Sequence, residues 1–519
     1  MIRASVLLLM LLPLQAQAQT AATVRFDSLR AAAVYAAALE FMGPRILDPV
    51  TVPDLIAWGL GGVAAIDPKL RADIRDKTLR LRLGEKLLLS RPIPDSADPV
   101  AWAREAADLQ ALAFEASAPL QAAGTGGVIR GFFDELFNHL DPYSRYTPPD
   151  EAEDDRSRRA GQAGIGLSLA KKGTQIVVQG AISDSPAVME GINPGDVLLT
   201  VDGQATRGKD AATVLGWLQG PEDTGVTLSW RGRDGKTRGA TVTRALIPPD
   251  TVHATRLGGL LVLRITDFNN ATGQRVANEL EAGLHGERPA QTPPLGIVID
   301  LRGNRGGVLR QAVFAADTLL GPGIVASTIG RDPDANRVLR SVSGDIAEYL
   351  PVVVLVDGRT ASSAEVLAAA LGDRGRAVVV GSATLGKGLV QTIAPLPDGG
   401  ELRVTWSRII APRGWPIQTL GVLPQICTSL GPEALNRQIE TLTTGRAPME
   451  SALAAHHAAR APVAAQQALR LRAPCPAAEG READLTVARL LVENPAIHAA
   501  ALMPPLRDVT AEPASPRKP

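Results

Sequence analysis

Apolar residues recur at helical spacing in the first part of the chain and at strand spacing in its middle. FDSLRAAAVYAAALEFM and DPVAWAREAADLQALAFEA place apolar positions three and four apart, which predicts amphipathic helices, and the prolines of SRPIPDSADP interrupt them. Residues 19–158 are therefore expected as a mostly helical domain, closed by the charged run DEAEDDRSRRAGQAG, which reads as a solvated linker. From Gly164 the period shortens to two. GIGLSLAKKGTQIVVQGA predicts a hairpin around Lys172-Gly173, and GVTLSWRGRDGKTRGATVTRA another at Asp234-Gly235. With DAATVLGWLQG as a helix between them, residues 160–246 form a compact unit of short strands.

Continuous apolar runs then alternate with helical segments. LGGLLVLRITDF, PLGIVIDLRG, PVVVLVDG and RAVVVGS read as strands buried on both faces, with VLRQAVFAADTLL and SSAEVLAAAL as helices. This alternation predicts an α/β layered core over residues 247–430, with any site at the carboxyl ends of its strands. Residues 431–519 read as an Ala-rich helical tail with a disordered end.

At 519 residues the chain exceeds what one core holds. Basic and acidic residues number 54 each, so no net field draws it to nucleic acid or to an anionic membrane. The start of the chain has Arg3, an apolar Val6 to Leu14 and Ala16-Gln17-Ala18, the pattern of a cleavable signal peptide over residues 1–18. The protein is thus expected to be periplasmic or otherwise exported. That apolar run is too short to anchor it, and no later one is long enough, so it is not expected to be an integral membrane protein. In an oxidising compartment Cys427 and Cys475 are a disulfide candidate. Without a histidine cluster they make no zinc site, and no metal or other cofactor is expected.

The chemistry centres on TASSAEVLAAAL, Thr360 to Leu371. Ser362 with Glu365 three residues on matches the capping box S-x-x-E, so a helix cap explains this serine by itself. A nucleophilic serine needs a base. None of the histidines, His139, His253, His285, His456, His457 and His498, stands in a glycine-rich turn of the α/β segment. Lys387, between two glycines in TLGKGLVQ, is the other candidate, because burial disfavours an ammonium. Gln391, four residues on, shares a strand face with it and can orient the amine. Alone, Lys387 reads better as a surface lysine in a turn. Gly306, Gly307 and the N–H of Ser363 are candidate oxyanion donors, although the glycines also suit a tight turn.

Residues 160–246 resemble a PDZ domain through GIGLSL, SPAVMEGINPGDVLLTVDG and the helix at Asp210 to Gln219. The resemblance implies peptide binding by strand addition, with Gly164, Ile165, Gly166 and Leu167 at the terminal carboxylate. TASSAEVLAAAL followed by GRAVVVGSATLGKGLVQT, together with LDPYSRYTPPDE, VIDLRGNRGG and APRGWPIQTLGVLP, resembles the carboxyl-terminal processing (tail-specific) proteases. That family implies a multidomain α/β fold: a ClpP/crotonase-like protease core, an inserted PDZ domain, and helical N- and C-terminal regions. It implies a serine endopeptidase with Ser362 as nucleophile, Lys387 as base and Gln391 as orienting residue, and with Gly307 and Ser363 as the oxyanion hole. Its substrates would be exported proteins or peptides with accessible C-termini; the helical ends permit a homo-oligomer or an adaptor. The family commonly reads S-A-S-E where this chain has Ser362-Ser363-Ala364-Glu365, which leaves Ser363 as the alternative nucleophile. Gln425 stands where an Asp is common. The competing readings are an inactive PDZ-bearing scaffold and, from the shape of the core alone, an acyl-CoA enzyme.

Overall fold

The structure, a computed structural model, describes residues 25–182, 185–285 and 292–506. The expected signal peptide and the end of the tail expected to be disordered lie outside them. The described residues fall into two compact units, one within residues 1–40 and 50–142, the other within 41–49 and 143–519.

The first unit is not purely helical. Helices Val52–Leu60, Pro99–Ala116 and Ala118–Asn138 accompany a three-stranded antiparallel sheet of Leu70–Arg75, Thr78–Leu83 and Lys86–Pro92. The two-residue alternation of TLRLRL is the strand signal that helical expectation overrode. Asp76 and Lys77, at φ 51° and 56°, make the tight turn that such a hairpin requires. Buried Tyr35, Phe132 and Phe133 build the core, and the Tyr35 hydroxyl donates to Gln110 at 2.7 Å.

The expected boundary at 158 also moves. Arg145–Thr147 already pairs with Glu401–Ile410 in the second unit, and the run expected as a linker is the helix Pro149–Ala160. It is polar nearly all round, which is why periodicity hides it. Asp150 and Glu151 in its first turn and Arg158 and Arg159 in its last complement the helix dipole. Arg156 and Arg159 tie it to buried Glu401.

The centre of the second unit is a six-stranded sheet in the order Val252–Leu257, Leu260–Ile265, Gly296–Asp300, Val352–Val356, Ala377–Gly381, Ile426–Cys427. Its first pair is antiparallel and the rest are parallel. Parallel strands need cover on both faces. Ile297, Ile299, Val354 and Val379 pack with helices Leu309–Asp317 and Ser363–Asp373. Val298, Val353, Leu355 and Val378 pack instead with Leu442, Val487, Leu491 and Ala501. These come from helices Pro432–Thr443, Glu482–Glu493 and Pro495–Ala501, so the segment expected as a tail is the second covering layer of the core. The sulfurs of Cys427 and Cys475, 2.08 Å apart, join it to the last strand. A separate antiparallel sheet contains Arg337–Ser341, Gly323–Gly330, Glu401–Ile410 and Leu389–Pro395.

Residues 167–243 form their own sheet, ordered Thr237–Thr243, Gly225–Arg231, Val197–Val201, Gln175–Ala181, Leu167–Lys172. Both expected hairpins are present. The incoming segment Gln162–Gly164 pairs antiparallel with the outgoing Ala245–Ile247.

Two adjacent histidines fasten the helix Glu450–His457. His456 stands edge-on to Trp415 with ring centroids 4.8 Å apart, and His457 stacks on the same ring at 5.5 Å. His457 Nε2 lies 3.5 Å from Asp373, whose carboxylate accepts the Trp415 indole N–H at 2.9 Å. Burial, opposed by two backbone contacts and aided by Arg472, pushes His456 down to about 4. Burial, with the charges of His456 and Arg413, pushes His457 down to about 3. A histidine whose folded-state pKa is lowered stabilises the fold above its ordinary value of 6.5, and that contribution is lost as pH falls through the folded-state value. Stability should therefore fall more steeply between pH 6.5 and 4 in the native protein than in His456→Leu, by up to about 1.4 kcal/mol per pH unit. Denaturant unfolding across that range measures it, and parallel curves would refute the assignment.

Candidate functional site

Three turns meet at the carboxyl ends of the central strands: residues 301–308, 357–362 and 382–388. Open α/β sheets gather their sites at this edge. Buried polar side chains fix the turns to one another. Asp357 Oδ1 accepts the N–H groups of Gly303 at 2.9 Å, Arg359 at 3.0 Å and Thr360 at 2.9 Å. The Thr360 hydroxyl donates to Leu301 O at 2.9 Å, and the Ala361 N–H to Asn304 O at 2.9 Å. The Asn304 side chain donates to Ile265 O and accepts the Gly306 N–H at 2.8 Å.

Glu365, wholly buried in the first turn of the Ser363–Asp373 helix, holds the second turn to the third. Its Oε2 accepts both the Ser362 N–H at 2.7 Å and the Lys387 N–H at 2.9 Å. Its Oε1 accepts the Gly386 N–H at 2.7 Å and the Thr384 hydroxyl at 2.5 Å. Burial pushes this carboxyl above the ordinary range, while the four hydrogen bonds pull it back toward ionisation. The S-x-x-E pattern thus does cap the helix from its Glu side, but the same carboxylate also reaches the lysine's turn.

Ser362 has φ 56° and ψ −120°, a conformation that favours glycine and strains a residue with a Cβ. A cap in the usual extended conformation would not need it. Gly306 lies against this serine so closely that a Cβ there would stand 2.7 Å from the Ser362 Cβ. A Cβ on Gly307, at φ 138°, would stand 2.2 Å from Phe268 O. Both positions therefore require glycine for packing. The Gly306 N–H is committed to Asn304, whereas the N–H groups of Gly307 and Ser363 donate no hydrogen bond among the described residues. The Ser363 side chain is buried and its hydroxyl donates to Gly307 O at 2.9 Å.

Ser362, Ser363, Lys387, Gln391, Gly306 and Gly307 line one cavity of about 480 Å³, and none of the six histidines does. Lys387 is half-buried, its Nζ 4.8 Å from the centre of the Tyr143 ring. The shared strand face expected for Lys387 and Gln391 is not what brings them together. Lys387 precedes the strand Leu389–Pro395, and a bulge between Val390 and Gln391 re-aims the glutamine. Gln391 Nε2 donates to Leu389 O and to the Thr405 hydroxyl, each at 3.2 Å, which leaves Oε1 without a hydrogen bond among the described residues. Gln425 lies elsewhere, accepting the Val379 N–H at 2.7 Å inside the sheet.

A second cavity, of about 520 Å³, runs beside the open edge strand Leu167–Lys172; Gly164, Ile165, Gly166 and Leu167 line it with Leu215 and Leu218. Among the described residues no three His, Cys, Asp or Glu side chains are grouped to hold a metal ion. Sequence reasoning missed Asp357, Asn304 and Tyr143. The Asp-Gly that ends the VVVLV strand was the available signal for the first.

Residues 259–428 match the model of peptidase family S41. A carboxy-terminal-processing protease of Bartonella bacilliformis is 33% identical over 304 residues, 58% of this chain and 69% of that protein. A probable CtpA-like serine protease of Staphylococcus aureus is 32% identical over 302 residues, 57% of this chain and 58% of that one. Among solved structures, the photosystem II D1 C-terminal processing protease aligns with 27% identity over 75% of this chain and 97% of its own, at a TM-score of 0.35. The PDZ domain of a carboxy-terminal protease from Vibrio cholerae, in complex with peptide, aligns with 23% identity over 17% of this chain and 98% of its own, at a TM-score of 0.16. With a third of the aligned residues identical over 69% of the Bartonella protein, the chain belongs to the carboxy-terminal-processing proteases of family S41 and is a serine peptidase.

Proposed function

We propose that this peptidase uses a Ser362–Lys387 dyad to cut exported proteins whose C-terminal tails dock in the groove beside Leu167–Lys172. The observation that carries the reading is the single Glu365 oxygen that binds the backbones of both residues, at a cavity they share. Ser363 is the weaker candidate because its hydroxyl is buried and already donating. The parallel strands with crossover helices support a ClpP/crotonase-like core. The paired ends of residues 162–247 support an inserted PDZ domain, and the Cys427–Cys475 bridge suits an oxidising destination.

Uncharged Lys387 accepts the Ser362 proton as the hydroxyl oxygen attacks the peptide carbonyl. The Gly307 and Ser363 N–H groups receive the oxyanion, aided by the helix N-terminus. Protonated Lys387, with Gln391 Oε1 as acceptor, then donates to the leaving amine. Water hydrolyses the acyl-enzyme with the lysine again as base. The PDZ groove holds the substrate's terminal carboxylate, so the bond cut lies upstream of the docked end.

Ser362→Ala should abolish hydrolysis of a tailed protein, by at least ~10³-fold, with an unchanged melting temperature. Lys387→Ala should cost ~10²–10⁴-fold. Ser363→Ala loses only one hydrogen bond and should retain turnover within about tenfold. A Ser363→Ala variant as inactive as Ser362→Ala would overturn the choice of nucleophile. Glu365→Gln puts an N–H₂ donor among groups that all donate, so turnover should fall ~10²-fold and the melting temperature by several degrees. Calorimetry beside the rate assay separates those effects. Amidating a substrate peptide's C-terminus should raise KM, and an unchanged KM would argue against capture of the tail carboxylate.

A further inference from the structure

The cavity beside Ser362 carries far more basic than acidic groups. Arg145, Arg158, Arg159, Arg305 and Arg403 line it, against Asp155 and Asp267. Asp155 pairs with Arg145 at 3.7 Å and also with Arg158 and Arg403. Glu401 pairs with Arg159 at 2.9 Å and Arg156 at 3.4 Å, and lies 3.9 Å from Arg403. Among the described residues Asp267 accepts only the neighbouring Phe268 N–H, at 2.8 Å, and burial raises its pKa.

The excess shows in the hydrogen bonding. Arg159 Nη1 and Arg403 Nε are buried without a hydrogen-bond partner among the described residues. Burial, and after it the like charge of Arg145, pushes the Arg403 guanidinium down from its ordinary value. Arg305, exposed on the turn that carries Gly306 and Gly307, forms no ion pair among the described residues. Guanidiniums that self-repel and lack acceptors leave room for an anion, and the low-dielectric walls of a cavity concentrate their field.

The chain also says which part of a substrate meets them. Arg159 lines the catalytic cavity and Gln162 the groove, and three residues span at most ~11 Å. The groove and the catalytic cavity thus adjoin at this segment, and a tail docked by its C-terminus in the groove would run past these arginines on its way to Ser362. We propose that the arginine wall is a subsite for acidic side chains of the substrate tail, on the C-terminal side of the scissile bond. This rests on the assignments of Ser362 and of the groove made above.

The test uses the full-length enzyme and three peptides that share a scissile bond and a C-terminus. They carry Asp/Glu, Asn/Gln or Lys in the segment to be removed. The acidic peptide should show a kcat/KM about tenfold or more above its amide twin at low salt, and the advantage should shrink as ionic strength rises. The Lys peptide should be cut slowest. Arg305→Gln should bring the acidic-to-amide ratio toward one, and Arg305→Glu should shift preference to the Lys peptide. Arg305 is exposed, and an unchanged melting temperature establishes that either variant folds. Equal kcat/KM for the acidic and amide peptides, or a ratio unmoved by both variants, overturns the subsite while leaving the dyad standing. Cleavage of none of the three, with Ser362 unlabelled by a fluorophosphonate, overturns the dyad and the subsite with it.

Discussion

A buried carboxylate must find donors for its charge, and Glu365 finds them on two separate turns. That requirement aligns the Ser362 turn with the Lys387 turn: the same oxygen that holds one backbone N–H holds the other, so neither turn can shift without leaving a buried donor or a buried charge unpaired. The strained backbone of Ser362 persists because the helix behind it, the carboxylate beside it and Gly306 against it together fix it. The site is rigid on its polar side before any substrate arrives.

The same logic works at larger scale. The central strands are apolar on both faces, and their second face is covered by helices from the far end of the chain. Arg302, on the turn after Gly296–Asp300, reaches Asp300 at 2.8 Å and Asp484 on one of those helices at 3.2 Å. The C-terminal helices are thus linked to the turn that carries Gly306 and Gly307, and removing them would expose a sheet and loosen the site together.

Much of this architecture was legible in the chain. Runs such as GIVID and VVVLV announce parallel strands because burial on both faces leaves no polar alternation, and the glycine pair after VIDLRGN announces a close approach. What stayed hidden depends on partners far away in sequence. Pro149–Ala160 is nearly all polar and becomes helical against Glu401, some 240 residues on by the Arg159–Glu401 separation of 242. The hairpins of residues 70–92 were outweighed by their helical neighbours. The even spacing that would put Lys387 and Gln391 on one strand face does not apply, because Lys387 precedes the strand Leu389–Pro395, although both residues line one cavity. The surplus of arginine around them was invisible, because overall charge balance conceals local imbalance.

The two-stranded ribbon that closes residues 162–247 makes Gln162 and Ile247 direct neighbours, as are Gly164 and Ala245. To the rest of the chain the whole insert therefore resembles a short hairpin loop. Recombination can replace what lies beyond that ribbon with another module whose termini are equally close, while every strand of the hydrolytic scaffold keeps its register.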